Sequence, residues 1–205
     1  SQSAYTSNCK LVFSITSGSS KLFSSASIQK GKFNHVSAVY DRGIENRTTL
    51  FVNAIQVASS SNTIKFKTLD TSRAPMYIGT GSSFPVSSRM MLGGNTSYKP
   101  MQTFSGSLDE LRIFHVAKNQ KQISDNRTFS VYNDDKNNLR LYFKFNEATG
   151  SFKPNSVVLD SSGNSLHSII NNYKITQRIT GSTPSPVKNE KLNLSPIIFP
   201  DHYLV

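Results

Sequence analysis

Apolar residues recur along the chain in short runs, many of them alternating with polar ones, and the runs are separated by Gly, Ser, Asn and Pro. Side chains of an extended strand point to opposite faces in turn, so such a period of two marks strands with one face buried. The pattern predicts strands over Lys10–Thr16, Lys21–Ile28, Asn34–Asp41, Thr48–Ala58, Thr63–Lys67, Met76–Gly79, Gly106–Val116, Leu139–Asn146 and Tyr173–Ile179. The clearest is Leu139–Phe145. There Leu139, Leu141, Phe143 and Phe145 share one face, and Arg140, Tyr142 and Lys144 share the other. One helix is predicted, from Asn119 to about Val131. Asn119 can accept from free N–H groups of the first turn, and Gln122 can reach back to the N–H of Asn119, which makes a capping box. Many short strands with frequent turn residues predict an all-β, antiparallel two-sheet sandwich with one short helix.

From Thr180 to Pro200 the alternation fades and Gly181, Pro184, Pro186 and Pro196 appear. The organisation expected is a sandwich over residues 1–180 and a linker or docking arm over 181–205. The apolar cluster Ile197, Ile198, Phe199, Tyr203, Leu204 and Val205 is expected to dock on something outside the sandwich.

Composition narrows the function classes. The chain of 205 residues carries 23 Lys and Arg against 12 Asp and Glu, a net charge of +11, with 13 Phe, 8 Tyr and no Trp. A basic surface of this kind favours polyanions. The charges are scattered, however, and no unbroken basic run marks a nucleic-acid site. No stretch approaches the ~20 apolar residues of a membrane span. No signal-peptide pattern opens the chain, and Ser1 in place of Met points to processing or excision from a longer polypeptide. The one cysteine, Cys9, has no partner for a disulfide and is expected to be a small buried side chain.

Three stretches together resemble the laminin-G-like branch of the concanavalin-A-like lectin and glucanase family. Lys30-Gly-Lys-Phe-Asn-His-Val-Ser-Ala-Val-Tyr-Asp41 with Thr49-Leu-Phe-Val-Asn-Ala54 resembles that family's G-x-W-x-H-V-A-x-x-Y-D … L-Y-V-N-G hairpin. Phe104-Ser-Gly-Ser-Leu-Asp-Glu-Leu-Arg-Ile-Phe114, with Ala117 and Ile123, resembles F-x-G-x-I-D-E-V-R-I-Y-N-R-A-L-S-x-x-E-I. Leu141-Tyr-Phe-Lys-Phe-Asn-Glu147, Gly150, Asp160-Ser-Ser-Gly-Asn164 and His167 resemble W-x-F-x-E-x-x-G … D-S-S-G-N-x-x-H-G. Phe33 stands where the family has Trp. Ala54 replaces the hairpin Gly, which is expected to alter the tight turn.

The resemblance implies a jelly-roll sandwich and the order of its stretches raises a question. The D-S-S-G-N stretch normally opens such a domain, and here it follows the D-E-V-R-I stretch that normally closes one. Residues 139–180 therefore either begin a next repeat or fold back to supply the opening strands, and the second reading is preferred because it covers an apolar face and an open edge.

An enzyme of this fold would carry a recognisable set of acids. Retaining glycosidases need two carboxylates ~5 Å apart, and glucanases of this fold place them as Glu-x-Asp-x-Glu. Asp109 and Glu110 are adjacent in the chain, so on a strand they face opposite ways, and one of them is expected to meet Arg112 or a loop backbone. His35, His115, His167 and His202 lie in no ligand spacing, and His35 is expected to be a satisfied structural histidine. No cofactor is expected. Asp160 and Asn164 are weak calcium candidates, and the favoured reading of Asp160-Ser-Ser-Gly-Asn164 is an Asx turn that satisfies its own backbone.

The function expected is a non-catalytic binding or adhesion module of a larger extracellular or virion protein. It would recognise a glycan or a protein surface through rim loops and one sheet face, with Tyr98, Tyr132 and Tyr142 as aromatic platforms for a sugar ring. Two other readings stand beside it: an architectural domain of a phage or viral particle that binds neighbouring subunits, and a glycoside hydrolase with an unrecognised site.

Overall fold

The computed structural model describes residues 7–17, 20–43, 45–62, 66, 76, 78, 84–85, 97–98, 106–129, 131, 137–146 and 157–170. All strand pairs among them are antiparallel, and one short helix interrupts them.

β1 (Asn8–Ser17) and β2 (Ser20–Gln29) form a hairpin. Its inner face carries Leu22 and Ser24, both buried. β3 (Val36–Asp41), β4 (Asn46–Val52) and β5 (Ile55–Asn62) form a three-stranded sheet with β4 at its centre. β4 is buried on both sides, which is why Thr48, Thr49, Leu50 and Phe51 form an unbroken buried run instead of alternating. Thr48 faces the hairpin, where the Ser24 hydroxyl donates to the Thr48 carbonyl at 3.1 Å and lies 2.8 Å from Thr48 Oγ1. Small hydroxyl residues let the two layers approach closely, and each buried hydroxyl finds a partner there. Phe51, on the opposite face, packs with Ala54 and with Ile123 of the helix α1 (Gln120–Asn126).

Thr48–Ala58 is not the single strand expected. It is broken by a two-residue turn at Asn53 and Ala54, with φ of 52° and 65°. Positive φ at both central residues is the turn whose twist matches paired strands. Replacing the hairpin Gly by Ala54 has therefore not altered the turn. A left-handed alanine costs roughly 1–2 kcal/mol, and the burial of its methyl group against Phe51 and Ile123 offsets part of that cost. The capping box of α1 is present as predicted: Asn119 Oδ1 accepts from the Gln122 N–H and Gln122 Oε1 accepts from the Asn119 N–H, both at 2.9 Å. The helix closes at Asn126, short of Val131.

β6 (Phe84–Pro85) pairs with β7 (Ser97–Tyr98). β8 (Leu111–Phe114) pairs with β9 (Leu139–Phe143), so the later stretch lies directly on the earlier one. β10 (Val157–Val158) pairs with β11 (Ser168–Ile169), and Asp160 bridges to Phe143. Leu141, Phe143 and Val158 form a second core cluster with Leu111, Ile113, Phe145 and Ile170 around it. Leu141, Phe143 and Phe145 thus share surroundings as their alternation predicts, although Phe145 reaches them from a left-handed backbone, at φ 55°.

Of the remaining predicted strands, Thr63–Lys67 and Met76–Gly79 are described only at Phe66, which is buried against Tyr40, and at Met76 and Ile78, which are exposed and outside any strand. Tyr173–Ile179 and the arm 181–205 lie outside the described residues. Cys9 is half-buried on β1, not fully buried as expected.

Candidate functional site

The acidic stretch before β8 builds a closed polar cluster. Glu110 adopts a left-handed backbone, φ 54°, so Asp109 and Glu110 do not alternate as on a regular strand. That departure turns the Glu110 carboxylate toward β9. There it forms an ion pair with Arg112 at 2.7 Å and accepts the hydroxyl of Tyr142. The two charged side chains are 13% and 10% exposed. Arg112 also donates to the carbonyls of Asn126 at 2.8 Å and Phe129 at 2.6 Å, and its guanidinium lies 5.2 Å from the Tyr142 ring centroid. The planar fork of arginine spreads its donors to a carboxylate and two carbonyls at once, whereas a lysine would have to meet all three from one nitrogen. The expectation that an acidic side chain of this stretch meets Arg112 is met by Glu110.

Tyr142 is 1% exposed. It is not the open platform expected for a sugar ring, because its strand is buried on both faces: Leu141 and Phe143 lie in the apolar cluster, and Tyr142 is enclosed by Glu110, Arg112 and Lys144. Tyr98 is placed in β7, but its side chain is outside the described residues, as is the whole of Tyr132.

Asp160 organises the second loop. Its Oδ1 accepts the N–H groups of Ser162 and Tyr142, both at 2.9 Å, and its Oδ2 accepts the Ser162 hydroxyl at 2.7 Å and the Leu166 N–H at 3.0 Å. The Ser162 bond is the Asx turn that the Asp160-Ser-Ser-Gly-Asn164 sequence predicts. Burial by itself raises the Asp160 carboxyl, but these hydrogen bonds outweigh it and hold the pKa below its ordinary value of 3.8. Asn164 turns its amide nitrogen inward, to the carbonyls of Leu139 and Arg140, each at 3.0 Å. Both carboxylate oxygens of Asp160 thus accept N–H and O–H donors, and the Asn164 amide nitrogen is spent on backbone carbonyls. Among the described residues no group of three His, Cys, Asp or Glu side chains gathers as a metal site.

His35 is joined to the hairpin turn at Asn53. Its backbone N–H donates to Asn53 Oδ1 at 3.0 Å and its carbonyl accepts the Asn53 N–H at 2.8 Å. Arg127 donates to the Asn53 carbonyl at 2.9 Å, tying the end of α1 to the hairpin turn. The ring is less satisfied than expected, since buried Nδ1 has no hydrogen-bond partner. Burial, then the charges of Arg112 and Arg127, push the His35 pKa below its ordinary 6.5. The Asn46 side chain, which opens an N-x-T sequon, is buried and accepts the Tyr40 hydroxyl at 3.1 Å, a structural use.

Residues 2–124, more than half of the chain, match the concanavalin A-like lectin/glucanases superfamily through its laminin G group. The chain belongs to this superfamily. Residues 139–170, with β9, β10 and β11, lie beyond the matched part. Among solved structures, a Bacteroides ovatus protein described as a "putative carbohydrate binding protein" is similar at 18% identity and a TM-score of 0.43, over 80% of this chain and 50% of that one. The chain spans about half the length of that protein. No curated protein matches.

Phe23 is an exposed aromatic outside the set of tyrosines that the sequence suggests. It stands on β2 among Lys21, Ser25 and Ser27, on the face opposite buried Leu22 and Ser24, and is 52% exposed. The signal was present in the alternation: a phenylalanine in the polar phase of a strand is out of place for packing.

Proposed function

We propose that this chain is a non-catalytic glycan-binding module of a larger extracellular or virion-borne protein. The observation that carries the reading is the fate of Glu110. It is one of the two acidic groups that the family-like D-E-L-R-I stretch would offer to chemistry, and it is committed to Arg112 and Tyr142 inside the fold. A general acid or a nucleophile must reach a substrate atom within hydrogen-bonding range, and this carboxylate is turned inward. Asp160 is likewise committed to four donors, three from its own loop and the Tyr142 N–H of β9. Membership of a lectin and glucanase superfamily, with these acids used structurally, favours the binding side of that superfamily over the hydrolytic side.

The test is a glycan array spanning neutral and acidic saccharides, followed by a reducing-end assay on soluble polysaccharides. Saturable binding without release of reducing ends is expected. Silence across the array would favour an architectural role in a particle, and turnover would overturn the proposal.

A further inference from the structure

The outer face of the β1–β2 hairpin has a composition that folding does not require. The pairing register sets Asn8 opposite Gln29, Lys10 opposite Ser27, Val12 opposite Ser25 and Ser14 opposite Phe23, with Lys21 one rung further on. Directly opposed residues of an antiparallel pair share a face, so these side chains form one surface. The inner face holds Leu22 and Ser24 in the core. On the outer face Val12 and Phe23 are about half exposed, at 51% and 52%. They are diagonal neighbours, roughly 7–8 Å apart between strands, and make one small apolar island. The residues beside it are serines, whose short side chains leave the ring open. Lys21 Nζ lies 5.7 Å from the Phe23 ring centroid.

The charge of this surface has one sign. No Asp or Glu occurs between Asn8 and Gln29, and Lys10 and Lys21 mark its two ends. Six residues of β2 separate their rungs, which is roughly 20 Å along the strand at ~3.3 Å per residue. Duplex DNA carries a charge every ~1.7 Å, and nucleic-acid sites answer that density with clustered Arg and Lys. Here arginine is missing from the hairpin and the cations are far apart. An open aromatic ring, flanked by hydroxyls and bracketed by spaced cations, instead matches a polymer with apolar ring faces, many hydroxyls and charges separated by neutral units.

We propose that the outer face of the β1–β2 hairpin is a platform for a linear acidic polysaccharide. Phe23, with Val12 beside it, stacks on the apolar face of one sugar ring. Lys21 and Lys10 pair with carboxylates on flanking sugars, and Ser14, Ser25 and Ser27 meet hydroxyls between them. This site rests on the glycan-binding reading above and gives it a place and a ligand class.

The experiment uses the full chain and a hyaluronan octasaccharide, in which uronate and neutral sugars alternate, with a neutral chitin oligosaccharide as control. Binding is followed by titration calorimetry at low and physiological salt. Saturable binding of hyaluronan with strong salt dependence is expected. Phe23→Ala weakens it at least 10-fold and Phe23→Tyr retains it, both with an unchanged melting temperature because the ring is exposed. Lys21→Gln and Lys10→Gln each weaken binding severalfold and flatten the salt dependence. If glycan binding on the array survives Phe23→Ala, Lys21→Gln and Lys10→Gln intact, this platform is wrong while the glycan-binding function stands. If no glycan binds at all, both fail. Tighter binding to a single-stranded oligonucleotide or to phosphatidylserine vesicles than to hyaluronan overturns the ligand class.

Discussion

Asp160 and His35 show how single residues tie this fold together through opposite electrostatic strategies. The Asp160 carboxylate is stabilised as an anion by four donors, so its folded pKa lies below its unfolded one. Its contribution is complete above the unfolded pKa near 3.8 and is lost as the pH falls through the lower, folded value. Asp160→Asn replaces an acceptor-only group by one with N–H hydrogens facing the Ser162 hydroxyl and the Leu166 N–H. A loss of about 2 kcal/mol is expected, read as a lower urea midpoint at pH 7, with less further loss on acidification than in the parent. His35 works the other way, since the fold favours its neutral form. Its contribution is complete above the unfolded value of 6.5 and declines as the pH falls from there toward the folded pKa. The urea midpoint of the parent should therefore fall between pH 7.5 and 5.5. In His35→Gln that slope should be shallower, and an unchanged slope would remove His35 from the account.

At the scale of elements, Arg112 is the fastener. It reaches from β8 to Glu110, to the last turn of α1 at Asn126 and to the carbonyl of Phe129. α1 has only seven residues, too short to be stable alone. Its capping box, the burial of Ile123 against Phe51 and Ala54, and the Arg112 and Arg127 bonds hold it in place. Arg112→Lys keeps the charge but cannot make three separate bonds in one plane. A loss of roughly 2–3 kcal/mol is expected, because the Glu110 charge is left poorly compensated in a nearly buried site. Thermal melting measures it, and a shift within error of zero would show that the cluster contributes little. The capping box was legible in the sequence because it is local. The Arg112 fastener was legible only as far as Glu110. Its other partners lie 14 and 17 residues away, across a helix whose packing no local pattern reveals.

For the whole molecule, the pairing of β9 with β8 bears on where the domain ends. Leu111 and Ile113 pack on Leu141, Phe143 and Val158. We propose that residues 139–146 and 157–170 complete the sandwich that 1–124 begins and are not a separate repeat, because this cluster cannot be divided without exposing apolar side chains. A fragment of residues 1–138 should then melt at least 10 °C lower than the full chain or aggregate, since it loses one side of the cluster and opens an edge at β8. Size-exclusion chromatography and thermal unfolding decide this. A soluble monomer with an unchanged, cooperative melt would count against it.

Taken alone, the sequence determined the class of the fold, most strand positions, the helix cap and the Asx turn at Asp160. Each of these depends on neighbours within a few residues, where backbone geometry and hydrogen-bond reach are set locally. Tertiary structure alone decided which strands are covered twice, and this is what separated Tyr142 from Phe23. Both stand in alternating strands, in the phase that also carries polar residues. β9 is enclosed by the charged cluster on one side and the apolar cluster on the other, so Tyr142 is sealed inside. β2 is covered on one face only, and Phe23 remains open to solvent. Alternation states that a strand has two faces, and only the packing of distant segments settles what lies against each.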